Sequence, residues 1–469
     1  MDINLDTIDI VNAFDNFMIC HIANFLDDKS KRLFLSVNRS LNDLQPDLYY
    51  YDLYDYKMIG HLSYRESFKK VKYIAHDSFI PNIVTDLKFV NNIPKITVGL
   101  IPDSVRKITF SNDFNEPIKK EYFPSGLKYL KFGQAFNQTI KDNLPDNLET
   151  LIVDLQFDQS IQDALPLTLK NLELHNVTDI SNCLPNGLEK LVINHHNLNG
   201  DICKHLPTGL KSLTINSNSY VEISGNLPVN IEYLNLRLLQ SQLRDNIIPP
   251  NVKYLVLDGP YNESIIKYIP SSVVKLELLS DDSIDISGLG SSIEYLRLSN
   301  EFNGDINERI PANVKELVFG FSFNSSIHNS LPKGLKRITF GNLFNQDICC
   351  EDMPESLEYI KFGEKFNQDI NKRLTKLTNL TSLIFGDGFD KDIQGLPKSL
   401  IHLEFGNKFN RKILNLIPNG VTHLTLGRRF SQKIQGAIPN SVTHLSINKV
   451  FYERNKQYIR SDINITLTC

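Results

Sequence analysis

The chain has 469 residues, 50 Lys and Arg against 54 Asp and Glu, a formal net charge of -4, six cysteines and no tryptophan. The near balance of charge gives no electrostatic reason to expect a nucleic-acid partner, and no apolar run reaches the ~18 residues needed to span a bilayer. The start MDINLDTIDI is acidic and lacks the basic region and apolar stretch of a secretory signal. Cys20, Cys183, Cys203, Cys349, Cys350 and Cys469 form no CxxC pair and no evident disulfide framework, which suits free thiols in a reducing compartment. These features lead to the expectation of an intracellular, cytoplasmic protein with no membrane and no nucleic-acid partner.

Residues 1–50 have a helical texture. Phe14, Phe17, Met18, Ile22, Phe25 and Leu26 follow helical spacing and predict an amphipathic helix with one apolar face. Asp27-Asp28 breaks that pattern, and an Asp can cap the helix that follows. Leu33, Phe34, Val37, Leu41 and Leu44 give a second helical pattern, divided near Asn38 to Ser40. Three short helices in ~40 residues are too few to hold a large core alone, and such a unit usually needs a partner. Residues 51–80 follow as a tyrosine-rich connector and N-terminal cap. Tyr49, Tyr50, Tyr51, Tyr54, Tyr56 and Tyr64 are interspersed with Asp47, Asp52 and Asp55, which would repel phosphate, so packing is the expected role of the rings.

From residue 81 to 450 the chain repeats itself with a period of about 21 residues. Pro354 to Ile370 reads PESLEYIKFGEKFNQDI, and its offsets recur from Pro124 (PSGLKYLKFGQAFNQTI), Pro332 (PKGLKRITFGNLFNQDI) and Pro397 (PKSLIHLEFGNKFNRKI). Counting from Pro81, with Gly290 and Leu377 in place of proline, there are 18 copies. Alternation in Glu358-Tyr-Ile-Lys-Phe362 marks a short strand with Ile360 and Phe362 inward and Tyr359 and Lys361 outward. Gly363 is expected to permit the turn that ends the strand. Phe366 and Ile370 fill the interior from the return limb, and the Asn367 amide is expected to satisfy backbone groups of a tight bend, forming a ladder when repeated in adjacent coils. A period this short has room for a strand and an irregular or 3₁₀ return, not a full helix. From Pro166 to Ile286 the Phe-Asn pair is mostly lost, which predicts a less regular section. Residues 451–469 alternate at Ile463, Ile465 and Leu467 and predict a closing cap strand.

The repeat resembles the FNIP repeats, a short leucine-rich-repeat-like unit, on Phe366-Asn367, Ile370 and Pro354 and their copies. The resemblance implies a mainly β repeat solenoid with a parallel sheet. Phe25-Leu26-Asp27-Asp28, Leu33 to Val37 and Asn38-Arg39-Ser40-Leu41 resemble an F-box, without the Leu-Pro pair that commonly opens one. Together the head and array resemble F-box and FNIP repeat proteins of giant amoeba-infecting viruses and social amoebae. That resemblance implies a head docked on a Skp1-like adaptor of a cullin ubiquitin ligase through Phe17, Met18, Ile22, Phe25 and Leu26. It also implies an array holding a protein client, in the host cytoplasm if the chain is viral. The alternative is a repeat scaffold whose head only caps the solenoid.

No GxSxG, Walker A, HExxH or dinucleotide turn is present, so the expectation is a non-enzyme with no cofactor. Recognition is expected on the outward strand positions. Five residues after the repeat anchor stand Tyr129, Tyr233, Tyr254, Tyr295 and Tyr359, then His402, His423 and His444. Two residues further stand Lys131, Arg297 and Lys361, with Glu173, Glu277 and Glu404 among them. Mixed charge with Tyr and His suits a protein partner. Three neighbouring histidines could also hold zinc or sense pH, although an exposed ladder on the client surface is the reading adopted.

Overall fold

A three-residue strand buries only one or two side chains, so the core of each turn has to be shared with the turns on either side. The computed structural model describes residues 16–468 except 38, 91–94, 178, 196–200, 239–242, 244–245, 260–262 and 281–284. The chain divides into two units, Met1–Asn199 and Gly200–Cys469.

The first unit begins with three helices, α1 (Asn16–Asn24), α2 (Asp28–Leu35) and α3 (Arg39–Asn42). Phe14 and Asn38 lie outside the described residues. The Asp27 carboxylate caps α2, accepting the Ser30 N–H at 2.7 Å. Ile19, Ala23, Leu35, Leu41 and Leu44 share one core with Leu48, Tyr50, Ile59, Phe68 and Val71. The tyrosine-rich segment, expected as a connector and N-terminal cap whose rings pack, also contributes strands. It forms β1 (Tyr50–Asp55) and β2 (Phe68–Ala75), which pair in parallel, and β2 pairs in parallel with β3 (Asp86–Phe89). The Tyr50 ring stacks on Phe68 at 4.7 Å, and Tyr54 meets the same ring edge-on.

A buried ion pair joins head to sheet. Asp28 and Lys31, 3.4 Å apart, have side chains only 2% and 1% exposed. The Asp28 carboxylate accepts the N–H groups of Tyr51 and Asp52 at 2.8 and 2.7 Å and the Tyr54 hydroxyl at 3.1 Å. Lys31 donates to the Tyr49 carbonyl at 2.7 Å. Backbone groups at the start of the sheet, which would otherwise template another strand, are thus satisfied by α2.

Beyond β3 the first unit adds strands at Lys107–Thr109, Tyr129–Lys131, Thr150–Val153, Asn171–His175 and Lys190–His195, each parallel to the one before. The second unit runs from Ser212–Ser217 to His444–Asn448 by the same parallel pairing. Asn464–Thr468 then adds a last parallel strand after the Lys449–Asn455 helix, whose first N–H groups the Asn448 side chain accepts. Each unit is a parallel β-solenoid.

Burial follows the expected alternation. Ile360, Phe362, Phe366 and Ile370 are fully buried, while Tyr359 and Lys361 face out. The phenylalanines form two columns. Phe302, Phe323, Phe344, Phe366, Phe389, Phe409 and Phe430 stack with centroids 5.9 to 6.2 Å apart. Phe319, Phe340, Phe362, Phe385 and Phe405 form the second column at 5.2 to 6.0 Å. Within a coil the two rings lie 3.7 to 4.1 Å apart.

One expectation is met and one needs correcting. The Asn367 amide takes its place in the expected ladder: its oxygen accepts the N–H of Asp390, in the bend one coil on, at 2.9 Å. The rungs from Asn303 to Asn324, Asn345, Asn367, Asp390, Asn410 and Ser431 are built the same way. Gly363, for its part, has no left-handed φ. A Cβ there would overlap the carbonyl oxygen of Gly341, and Gly320, Gly341, Gly386, Gly406 and Gly427 meet the preceding coil in the same manner. Glycine is needed for close approach between coils. Most left-handed residues sit two positions after the buried Ile, as at Asp142, Asp163, Asn182, Asn329 and Asn415.

In the section that lacks the Phe-Asn pair, strands such as Asn171–His175, Ser212–Ser217 and Tyr233–Leu238 run to five or six residues, against three at Tyr359–Lys361. At Asn216 and Arg237, which stand where Gly363 does in its own coil, the strand continues instead of closing in. Leu198-Asn199 and Leu239-Gln240 lie outside the described residues. Among the described residues no helix is long and apolar enough to cross a membrane.

Candidate protein-interaction surfaces

Parallel pairing without register shift puts equivalent outward residues of successive coils side by side. In the second unit the row runs Tyr233, Tyr254, Lys275, Tyr295, Glu316, Arg337 and Tyr359. The cations lie over the rings: Arg337 is 4.0 Å from the Tyr359 centroid and Lys275 is 5.8 Å from that of Tyr254. Tyr233 and Tyr254 meet edge-on at 5.1 Å. Glu277, nearly buried, accepts the Tyr254 hydroxyl and lies 3.5 Å from Arg297. Burial and then this carboxylate push the Tyr254 hydroxyl well above its ordinary range, so it stays a donor. Arg297, Lys361 and Glu404 border one open depression of about 490 Å³ along which Gly320, Gly341 and Gly363 lie. Tyr129 and Lys131 belong to the first unit. There Lys107 covers the Tyr129 ring at 4.4 Å, and Tyr129 borders a separate depression with Glu173 and Lys190.

His402, His423 and His444 form the exposed ladder on adjoining strands, with ring centroids 4.4 and 4.3 Å apart. The Thr422 and Thr443 hydroxyls lie 2.9 Å from Nδ1 of His423 and His444. Loss of solvent, then the two flanking imidazoles, lowers the pKa of His423. Among the described residues no group of three or more His, Cys, Asp or Glu side chains is arranged to hold a metal ion.

On the head, the apolar stripe of α1 faces solvent. Phe17 is 80% exposed and Phe25 81%, with Met18 and Ile22 about half exposed and Leu26 partly buried. His21 lies between the two phenylalanine rings, 6.4 Å from Phe17 and 5.3 Å from Phe25. The second helical pattern divides: Leu41 and Leu44 are core, whereas Leu33 and Val37 join the exposed side. Sequence reasoning missed Ile19 and Ala23, which seat α1 on the core. Their signal was an apolar pair four residues apart, on the side of the helix opposite the bulkier stripe.

Comparison with known proteins agrees with this architecture. The FNIP Repeat family matches residues 92–135, 114–153, 136–177, 240–281, 302–343, 378–408 and 409–449, together just over half of the chain. The FNIP repeat-containing protein R636 of Acanthamoeba polyphaga mimivirus is 35% identical over 147 residues, covering 30% of this chain and 35% of that protein. The F-box and FNIP repeat-containing protein R286 of the same virus is 29% identical over 326 residues, covering 66% of this chain and 98% of that protein. The chain thus spans about a third of one relative and nearly all of the other. The crystal structure of CroV588, described as a novel circular LRR protein, superposes with a TM-score of 0.59 at 27% identity, covering 86% of this chain and 73% of that one. Together the matched stretches cover most of the array outside its central section, and the chain belongs to the FNIP repeat family.

Proposed function

We propose that the chain is a non-enzymatic recognition adaptor. The head, residues 1–50, docks a Skp1-like subunit of a cullin ubiquitin ligase, and the array, residues 81–450, presents a protein client on its strand face. Residues 51–80 and 451–469 close the two ends. Such an adaptor does no chemistry itself and works in the cytoplasm. The observation that carries the reading is the outward apolar face of α1. Phe17, Ile22 and Phe25 are turned to water although Ile19 and Ala23 already seat the helix. Leaving that much apolar surface in water is unfavourable unless a partner covers it. Relatives named F-box proteins support the same reading.

The test is retention of a Skp1 homologue by the full chain and by a Phe17→Asp, Phe25→Asp variant. Retention by the wild type, lost in a variant with unchanged thermal unfolding, is the expected result. A folded wild type that retains nothing would sink the adaptor reading. A second reading, a repeat scaffold whose head is only a cap, is favoured by the Asp28–Lys31 closure of β1. It predicts that the Phe variants behave as wild type in every binding assay.

A further inference from the structure

Charge is unevenly distributed along this chain. Residues 395–460 contain eleven Lys and Arg but two Asp and Glu, in a sequence whose totals are 50 and 54. The excess is ordered by the coil. Lys408 and Arg429 each stand two residues after the glycine that ends a strand, with Lys449 opening the final helix. Lys412 and Lys433 each stand three residues after a stacked phenylalanine, Phe409 and Phe430, whose rings are 6.2 Å apart. Arg454 follows Phe451, whose ring meets Phe430 at 5.5 Å. All six cations are exposed.

Elsewhere in the second unit, three lysines have carboxylate partners on a neighbouring coil: Lys253 with Glu232, Lys315 with Glu294 and Lys336 with Glu358, at 2.6 to 2.9 Å. In the last coils Arg411 pairs with Asp390 and Lys456 with Glu453. Lys408, Lys412, Arg429, Lys433, Lys449 and Arg454 have no ion-pair partner among the described residues. Like charges held one coil apart, roughly 5 Å, repel each other. An anion laid along them would relieve that repulsion.

We infer that the return limbs of the last coils are a docking surface for an acidic polypeptide segment. The inference rests on the reading that the array holds a protein client and adds the chemistry of that client. Three coils span roughly 10–15 Å, the length of about four extended residues. Four of the six cations are lysines, point charges suited to separate carboxylates, not the arginine forks that grip phosphate with two bonds. A nucleic-acid track would need a longer run of cations and bases stacked on aromatic rings.

The test uses the full chain and a fluorescein-labelled peptide of ten glutamates, followed by anisotropy at two salt concentrations. Reversal of the ladder, Lys412→Glu, Lys433→Glu and Arg454→Glu, is expected to weaken binding at least tenfold. A control carrying the same charge change, Lys253→Glu, Lys315→Glu and Lys336→Glu, is expected to change it less than threefold. Glutamine at the three ladder positions gives an intermediate loss without introducing repulsion, which guards against a misfolded variant. Equal losses in ladder and control variants would overturn the inference, as would no binding by the wild type. Tighter binding of a labelled single-stranded oligonucleotide of equal charge would also overturn it and make the partner a nucleic acid. If Tyr359→Ala with Lys361→Ala abolishes client capture while ladder reversal leaves peptide binding unchanged, the client reading stands and this inference falls.

Discussion

Replacing Gly363 by alanine drives a methyl carbon into the carbonyl oxygen of Gly341, one coil back. The obstacle is backbone, so neither partner can rotate away, and the two coils must separate or the strand end must shift. Overpacking of this kind costs about 1–3 kcal/mol. Gly334 is the natural control. A Cβ there meets nothing within 4 Å and its φ is not left-handed, so alanine only narrows the unfolded ensemble. That change stabilises by about 0.4–1 kcal/mol. The two alanine variants should therefore lie on opposite sides of wild type and differ by roughly 1.4–4 kcal/mol. Urea unfolding followed by far-ultraviolet circular dichroism measures the difference. Amide exchange in the coils on either side shows whether the loss is local, as a solenoid allows. A Gly363→Ala protein as stable as Gly334→Ala would refute the close-approach argument. A Gly363→Asn variant more stable than Gly363→Ala would restore the left-handed turn in its place, because Asn tolerates that conformation better.

Asn367→Ala removes the acceptor of the Asp390 N–H and is expected to cost about 1–3 kcal/mol in thermal unfolding. Asn367→Asp should be far milder, since Asp390 already holds the next rung with a carboxylate. Asp28→Ala leaves Lys31 buried without its counter-charge and should cost about 3–5 kcal/mol, with Asp28→Ala/Lys31→Met losing less in a double-mutant cycle. The His423 imidazole is expected to titrate below its ordinary 6.5 in an NMR titration, and to move part of the way back in His402→Gln/His444→Gln, because loss of solvent outweighs the flanking rings. Its folded-state pKa is depressed, so this group costs no stability above pH 6.5. Stability falls as pH drops below that value, where the unfolded chain binds the proton more readily.

Much of the coil was legible in the sequence, because burial and period coincide. Ile360, Phe362, Phe366 and Ile370 are apolar at fixed offsets, and each is buried. The amide ladder between coils was legible in the recurrence of Asn367, but the close backbone approach was not, since a repeat shows which residues recur but not which backbone atoms each one touches. Gly363 was for that reason assigned to its turn alone. The left-handed position left a trace in Asp142, Asp163, Asn182, Asn329 and Asn415, which appears only once the copies are aligned on the Ile. The tyrosine-rich segment hid two strands because β1 buries Tyr50 and then exposes Tyr51, Asp52 and Leu53 in succession, so no alternation survives. The outward row was readable as a register. Its ring-on-cation contacts were not, because they pair residues one coil apart.

The asparagine ladder has a direction. Each rung accepts from the coil ahead and donates to the coil behind, so an internal coil carries both halves of a joint. Adding or losing one complete period leaves every joint matched, whereas a partial period leaves an acceptor without its N–H. Gene duplication in whole periods can then lengthen or shorten the recognition surface while the joints stay intact, and the variable outward residues travel with each added unit. The array behaves as a polymer whose monomer is the coil, and its partner range can change by the length of the chain as well as by its side chains.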